Sequence, residues 1–202
     1  MSAPDYFEKH FWQNGYERIA GVDEAGRGPL AGPVVAAAVI LPLNFVDHYG
    51  IDDSKKLTAR DREHLFTIIT KEAVAYAVAE ISHLQIDSIN IYNASLLAMF
   101  EAVNKLSPQP DFVLFDGRAC PLVSLPCSAI VKGDSLSVSI AAASIIAKVT
   151  RDRIMIEYDK QYPQYDFYNN KGYGTRAHIN ALMENGHSPI HRLSFKVRKL
   201  NI

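Results

Sequence analysis

Residues 137–158 read as a long helix, and its first half is apolar nearly all the way round: Ile140, Ala141, Ala143, Ile145 and Ile146 leave no polar face. Such a helix is buried on most of its sides, so the chain has to supply covering elements around it. At 202 residues there is enough chain for one domain of ordinary size, or for a domain with a small C-terminal extension. Hydrophobic residues at 48% and charged residues at 21% suit a soluble globular protein and exclude disorder as the main state. The longest near-apolar run, Leu30 to Leu43, is broken by two prolines and a glycine. It falls short of the ~20 residues that cross a bilayer. Met1 to His10 carries acids and no apolar core, so no secretory signal is visible. The two cysteines, Cys120 and Cys127, fit no zinc spacing, and nothing suggests an oxidising compartment, so a cytoplasmic location is expected.

Around the central helix the apolar pattern alternates between strand and helix. Ile19 to Val22 reads as a short buried strand followed by a polar, glycine-rich turn from Asp23 to Gly28. Val34 to Leu41 reads as a second strand ended by Pro42, and Val74, Tyr76 and Val78 alternate with alanines as a third. Thr58 with Asp61 makes a capping-type helix start ahead of Leu65, Ile68 and Ile69. A stripe from Leu96 to Leu106 predicts another helix, ending before Pro108. Phe112 to Phe115 and Ser128 to Val131 are short strand candidates. Asn169 to Gly174 reads as a loop, after which Thr175 caps a last helix that ends at Gly186. This order predicts an α/β domain on a mixed sheet. Residues 1–17 look like a loosely attached lead-in, which Phe7, Phe11, Trp12 and Tyr16 could anchor.

Four acids sit where strands and loops have little structural need of them. Asp23 and Glu24 directly follow a buried strand, Asp116 ends an apolar strand, and Asp134 lies in a Lys-Gly-Asp-Ser loop before the central helix. Read singly, each has a plainer role as a turn residue or helix cap. Carboxylates that converge repel one another unless protons or cations compensate, and hard oxygen donors favour magnesium or manganese. Two such ions ~4 Å apart can activate a water and stabilise a leaving oxygen in phosphodiester cleavage. Adjacent strand residues point to opposite faces, so Asp23 and Glu24 can share a site only where their strand ends or bulges.

Three other segments suit phosphate or sugar. Gly26-Arg27-Gly28 allows close backbone approach with amides and a guanidinium exposed. Lys55 and Lys56 precede a helix start, where they could neutralise phosphates or simply be solvated. Tyr173, between Gly172 and Gly174, is placed to stack on a sugar or base. Residues 1–131 hold ten Lys and Arg against sixteen Asp and Glu, while residues 132–202 hold eleven against six. A basic C-terminal third suits a grip on phosphates at one place and metal at another. No phosphate-binding glycine loop ending in Gly-Lys-Ser/Thr and no Gly-x-Ser-x-Gly elbow is present. His187 and His191 lack the glutamate of a zinc-protease motif and read as surface or packing residues. Lys199 to Ile202 shows no docking motif.

Taken together, these segments resemble the bacterial ribonuclease HII, or type 2 ribonuclease H, family. The resemblance runs from about Ile19 to Phe195. Its motifs are Ile19 to Pro29, Asp53-Ser54-Lys55-Lys56-Leu57, Asp116-Gly117, Lys132-Gly133-Asp134-Ser135, Ala141 to Asp152, Lys171-Gly172-Tyr173-Gly174 and His191 to Phe195. It implies a ribonuclease H-like fold, a central mixed β-sheet flanked by helices, with a helical C-terminal extension. The implied units are a lead-in over 1–17, a catalytic domain over 18–160 and an extension over 161–202 that contributes to substrate binding. It implies cleavage of the RNA strand of RNA–DNA hybrids and nicking 5′ of single ribonucleotides embedded in duplex DNA, leaving 3′-hydroxyl and 5′-phosphate ends. Asp23, Glu24, Asp116 and Asp134 become the catalytic, metal-holding acids, with Mg2+ or Mn2+ as cofactor and two ions when substrate is bound. Gly26, Arg27 and Gly28 inherit the reading of the 2′-hydroxyl at an RNA-to-DNA junction. Tyr173 inherits stacking beside the following deoxyribose, and Lys55 or Lys56 a phosphate contact. The expected protein is a monomer without membrane association. The rival readings are a DNA-cleaving nuclease of the same fold and a nucleic-acid-binding module without catalysis.

Overall fold

The computed structural model describes residues 3–196, so the tail read above as lacking a docking motif, Lys199 to Ile202, lies outside the described residues. Five short strands form one sheet: β1 (Ile19–Ala25), β2 (Val34–Ile40), β3 (Ala75–Ile81), β4 (Phe112–Asp116) and β5 (Cys127–Ile130), in the order β3-β2-β1-β4-β5. The first three are antiparallel neighbours, whereas β4 and β5 join parallel to β1. A parallel return needs a long crossover, supplied between β3 and β4 by α3 (His83–Asn104). The expected mixed sheet flanked by helices is what the chain builds.

The two faces of the sheet follow the period-2 alternation of strands. Ala20, Val22, Val113 and Phe115 face one way, into a core with Ala98, Met99 and Val103 of α3. Ala37 and Val39 face the other way, toward Leu65 and Ile69 of α2 (Ala59–Glu72) and the buried first half of α4 (Val138–Gln161). This is the covering that the apolar helix requires. Its start lies so close to β1 that a Cβ on Gly21 would come 2.1 Å from the Ser139 carbonyl carbon. Thr58 caps α2 by accepting from the Asp61 amide, as its sequence predicts.

Three details depart from the sequence reading. In β3 it is Ala75, Ala79 and Ile81 that are buried, while Val74 and Tyr76 are exposed, because β3 is an edge strand with one flank in solvent. Helix α3 begins at His83, well before its apolar stripe, at a reciprocal Ser82–Gln85 capping box. Asn90, at φ 65°, then divides it into two halves. Finally, the lead-in is docked rather than loose. Helix α1 (Tyr6–Gln13) packs Phe7, Phe11 and Trp12 against Phe112, Leu114 and Ile140. It also buries Glu8, whose carboxylate accepts from the Ser137 hydroxyl (2.5 Å) and the Ser139 amide (2.9 Å) at the start of α4.

Beyond α4 the chain forms the expected helical extension. A 3-10 turn (Pro163–Tyr165), α5 (Phe167–Asn170) and α6 (Arg176–Asn185) enclose a small core of Met155, Tyr165, Phe167, Leu182 and Ile190. Thr175 caps α6 by accepting from the His178 amide. The segment of His187 and His191 is not helical; His187 is exposed and His191 buried. The His191 Nε2 lies 2.9 Å from the His178 Nε2. Their outer partners fix the tautomers. His178 Nδ1 must donate to the Tyr173 carbonyl (2.9 Å), so its Nε2 accepts from His191, whose Nδ1 then accepts from the Ser188 amide (2.8 Å). Both rings are therefore neutral. Among the described residues, no helix is long and apolar enough to cross a membrane.

Candidate active site

The acids meet through an asymmetry of strand pairing. β1 does not end at Val22: its ladder with β2 continues through Asp23↔Ala37, Glu24↔Ala36 and Ala25↔Val35. Its ladder with β4 stops at Val22↔Phe115. Asp23 therefore follows Gly21 toward α4, and Glu24 follows Val22 toward α3, on opposite faces as a regular strand demands. Both flank the place where β4 has stopped pairing, and Asp116 is the last residue of β4. One carboxylate oxygen from each of Asp23, Glu24 and Asp116 lies within 4.8 Å of the others. The condition set by the sequence is met by a ladder that ends on one side only, with no bulge.

Fixed donors hold each acid. Asp23 is buried and accepts from the Glu24 amide at 2.7 Å. Glu24 pairs with Arg27 at 3.2 Å, and Asp116 accepts from the Gly133 amide at 2.6 Å. Burial, then the charges of Glu24 and Asp116, push the Asp23 carboxyl well above its usual range, against the Ser144 hydroxyl, which lowers it. Burial also raises Glu24, partly offset by Arg27, and raises Asp116, partly offset by the Gly133 amide. Glu24 keeps one carboxylate oxygen buried without a hydrogen-bond partner among the described residues. Three crowded carboxylates with an orphaned oxygen fit a hard divalent cation.

Asp134 stands beside this trio rather than in it. It lies in the short 3-10 turn Gly133–Ser135, is 5% exposed, and its carboxylate binds the Lys55 ammonium at 2.8 Å. It does not cap α4, which Ser137 does. Desolvation lowers the Lys55 pKa, but the hydrogen bond and charge of Asp134, then Asp53 and Asp23, raise it further, and the net shift is upward. Lys56 instead pairs with Asp52 at 2.9 Å.

Gly26, Arg27, Gly28, Lys55 and Tyr173 share one cavity of about 230 Å³ with Asp23, Glu24 and Asp116. Lys56 is outside that lining. Tyr173 is 43% exposed, and a Cβ on Gly28 would sit 3.7 Å from its ring, so the two glycine-rich segments form facing walls. A second cavity of about 430 Å³ opens on the α3 side of Glu24 and Asp116, beside Tyr92, Arg118 and Lys132. The sequence reading passed over Ser144 and Lys148, which also line the first cavity. The signal for Ser144 was available, as a polar residue inside an otherwise apolar helix.

The family model described as Ribonuclease HII matches residues 20–198. A curated Ribonuclease HII of Syntrophus aciditrophicus (strain SB) is 56% identical over 198 residues, covering 98% of this chain and 93% of the relative. One from Listeria monocytogenes (serovar 1/2a, strain EGD-e) is 57% identical over 189 residues, covering 94% and 72% respectively. Among solved structures, the ribonuclease H2 from Pyrococcus horikoshii OT3 superposes with a TM-score of 0.77 at 27% identity, covering 91% of this chain and 97% of that one.

Proposed function

The chain belongs to the ribonuclease HII family, and from that premise we propose that Asp23, Glu24 and Asp116, with Asp134 beside them, are the catalytic and metal-holding acids of its endonuclease site. The protein is an endoribonuclease that cleaves the RNA strand of RNA–DNA hybrids and nicks 5′ of single ribonucleotides in duplex DNA. The products carry 3′-hydroxyl and 5′-phosphate ends. The observation that carries the site assignment is the convergence of three carboxylates from two strands, within 4.8 Å of one another, in one cavity with the Gly26–Gly28 turn.

Mg2+ or Mn2+, two ions with substrate, is the cofactor in this reading. When bound, such ions supply Lewis acidity that favours deprotonation of water and offsets charge developing on the phosphodiester. The residues do the rest. Asp23 and Asp116 are held by the Glu24 and Gly133 amides, so their ligating oxygens are preset on rigid strands. Lys55, tied to Asp134, places a cation at the cavity wall for a backbone phosphate, with Lys56 farther out. Gly26, Arg27 and Gly28 contact the ribose 2′-hydroxyl, the group that distinguishes RNA from DNA, and Tyr173 stacks on the next sugar. The extension over 161–202, which carries Tyr173, contributes to substrate binding beside the catalytic domain over 18–160. The protein works as a cytoplasmic monomer on RNA–DNA hybrids and ribonucleotide-bearing duplexes.

The test is a duplex DNA holding one ribonucleotide, incubated with Mg2+, Mn2+ or a chelator, with the nick mapped at nucleotide resolution. A cut 5′ of the ribonucleotide that needs the ion supports the reading. An uncut duplex under every ion condition, or equal cutting of an all-DNA duplex, rejects it.

A further inference from the structure

Arg151 on α4 and Arg192 in the C-terminal segment are each 1% exposed. Among the described residues neither forms an ion pair with a carboxylate. Burial pulls Arg192 down to about 9 and Arg151 to about 10. A guanidinium in such a place must satisfy its fixed fork of donors with neutral acceptors. Both do so with the backbone carbonyls of one turn. Arg192 donates to Gly26 O (2.7 Å), Pro29 O (2.8 Å), Gly32 O (2.9 Å), Arg27 O (3.1 Å) and Pro33 O (3.1 Å). Arg151 donates to Pro33 O (3.0 Å) and Ala31 O (3.1 Å), and to Lys171 O (3.0 Å) in the segment that carries Tyr173.

A trans peptide is planar, with its C=O and N–H pointing in opposite directions. Pinning the Gly26 carbonyl inward therefore turns the Arg27 amide outward, and pinning the Arg27 carbonyl does the same for the Gly28 amide. Neither amide has a hydrogen-bond acceptor among the described residues, and both residues line the cavity of the acids. Gly26 is required behind them: at φ +100°, its Cβ would lie 2.1 Å from the Arg151 Nε. The segment bearing Arg192 is itself stitched to the turn, by Gly32 N–H to Ile190 O (2.9 Å) and Arg192 N–H to Leu30 O (2.9 Å). Its far end is anchored by Asp87, which accepts from the Leu193 and Ser194 amides at 2.8 and 3.0 Å.

We propose that Arg192, backed by Arg151, is a positioning residue for ribose recognition: it holds the carbonyls of the Gly26–Pro33 turn from behind and thereby presents the Arg27 and Gly28 amides to the sugar hydroxyl beside the cut. This rests on the ribonuclease reading of the same cavity. It assigns specificity to a side chain that never touches substrate. Lysine at this position keeps the charge but offers a point donor in place of a planar five-donor fork.

The test compares wild type, Arg192→Lys and Asp87→Asn on two duplexes of one length, one all-DNA and one with a single ribonucleotide. It measures kcat and KM for the nick, affinity for the all-DNA duplex, and thermal melting. Folded Arg192→Lys is expected to lose about tenfold or more in kcat/KM at the ribonucleotide while all-DNA affinity stays within about twofold. Asp87→Asn, which loosens the anchor only, is expected to show the same pattern at about two- to threefold. A folded Arg192→Lys with unchanged kcat/KM, or with equal losses on both duplexes, overturns the proposal. If Arg192→Lys does not fold, Asp87→Asn decides by the same two criteria. Wild type that leaves the ribonucleotide duplex uncut in both ions rejects the ribonuclease reading instead.

Discussion

The two walls of the cleft both bury charge that ion pairs do not balance, three carboxylates against Arg27 alone on one side and two guanidinium groups with no carboxylate on the other, and they resolve it differently. On the strand side, Asp23, Glu24 and Asp116 crowd together, and Glu24 retains an oxygen that has no hydrogen-bond partner among the described residues. On the turn side, Arg192 makes five carbonyl contacts, one for each of its N–H donors, and Arg151 makes three. The first arrangement stays reactive because its compensation must come from outside; the second is closed and rigid because its compensation is the backbone it shapes. Regular strands can carry the acids, since strand ends are already fixed. The irregular turn has no ladder of its own and needs the guanidinium groups.

That contrast can be broken by substitution. Asp116→Asn is expected to keep the fold and lower kcat by about a thousandfold, because a charge that draws in the ions is gone; near-wild-type turnover in Mg2+ removes the strand side of the comparison. The turn side has its own acid sensitivity. His191 is pushed down to about 4, first by burial and then by His178 and His187, with His83 adding to the effect. A histidine whose folded pKa lies below its unfolded value of 6.5 contributes stability that is complete above 6.5 and is lost as pH falls toward 4. The loss amounts to about 3 kcal/mol. Melting curves across that interval should slope accordingly in wild type and flatten in His191→Gln; an unchanged slope in the variant removes the histidine pair from the account.

Asp23→Asn sharpens the contrast by thermodynamics. Relief of burial and repulsion should raise metal-free stability, visible as a higher Tm, and abolish the further rise expected of wild type with Mg2+. A lower Tm would mean that the acids stabilise the fold unaided. A smaller effect than at the acids is expected for Tyr173→Ala: about tenfold off cleavage at a single ribonucleotide, with plain-duplex binding little changed. Equal losses on both measurements would count against stacking by this ring.

Most of the acidic wall was legible because strand ends and apolar runs are local signals. Asp116 directly follows the apolar run Phe112–Phe115 and is the last residue of β4, and Ser137 begins an unmistakably buried helix. The convergence of Asp23 with Glu24 was not legible, since it depends on where β4 stops pairing, a fact of register rather than of sequence pattern. The charge asymmetry misled in a specific way. Arg151 and Arg192 count toward a basic C-terminal third, yet both turn inward to carbonyls, and Lys148, Arg153 and Lys160 are paired with Asp152, Glu63 and Glu157. Net charge by segment says nothing about which cations face solvent. The turn side was visible as glycines, Arg27 and a tyrosine; its supports lie 118–120 positions away in the chain for Arg151 and 159–166 for Arg192.

Glu8 gives the N-terminal arm a role beyond packing. It grips Ser137 and Ser139, and about two helical turns further along the same helix lies Ser144, which lines the cavity beside Asp23 and draws the Asp23 carboxyl down. The arm and the cutting centre are thus joined through the first two turns of one stiff helix, and a shortened protein beginning at residue 18 would cut less well with every one of its acidic ligands still in place.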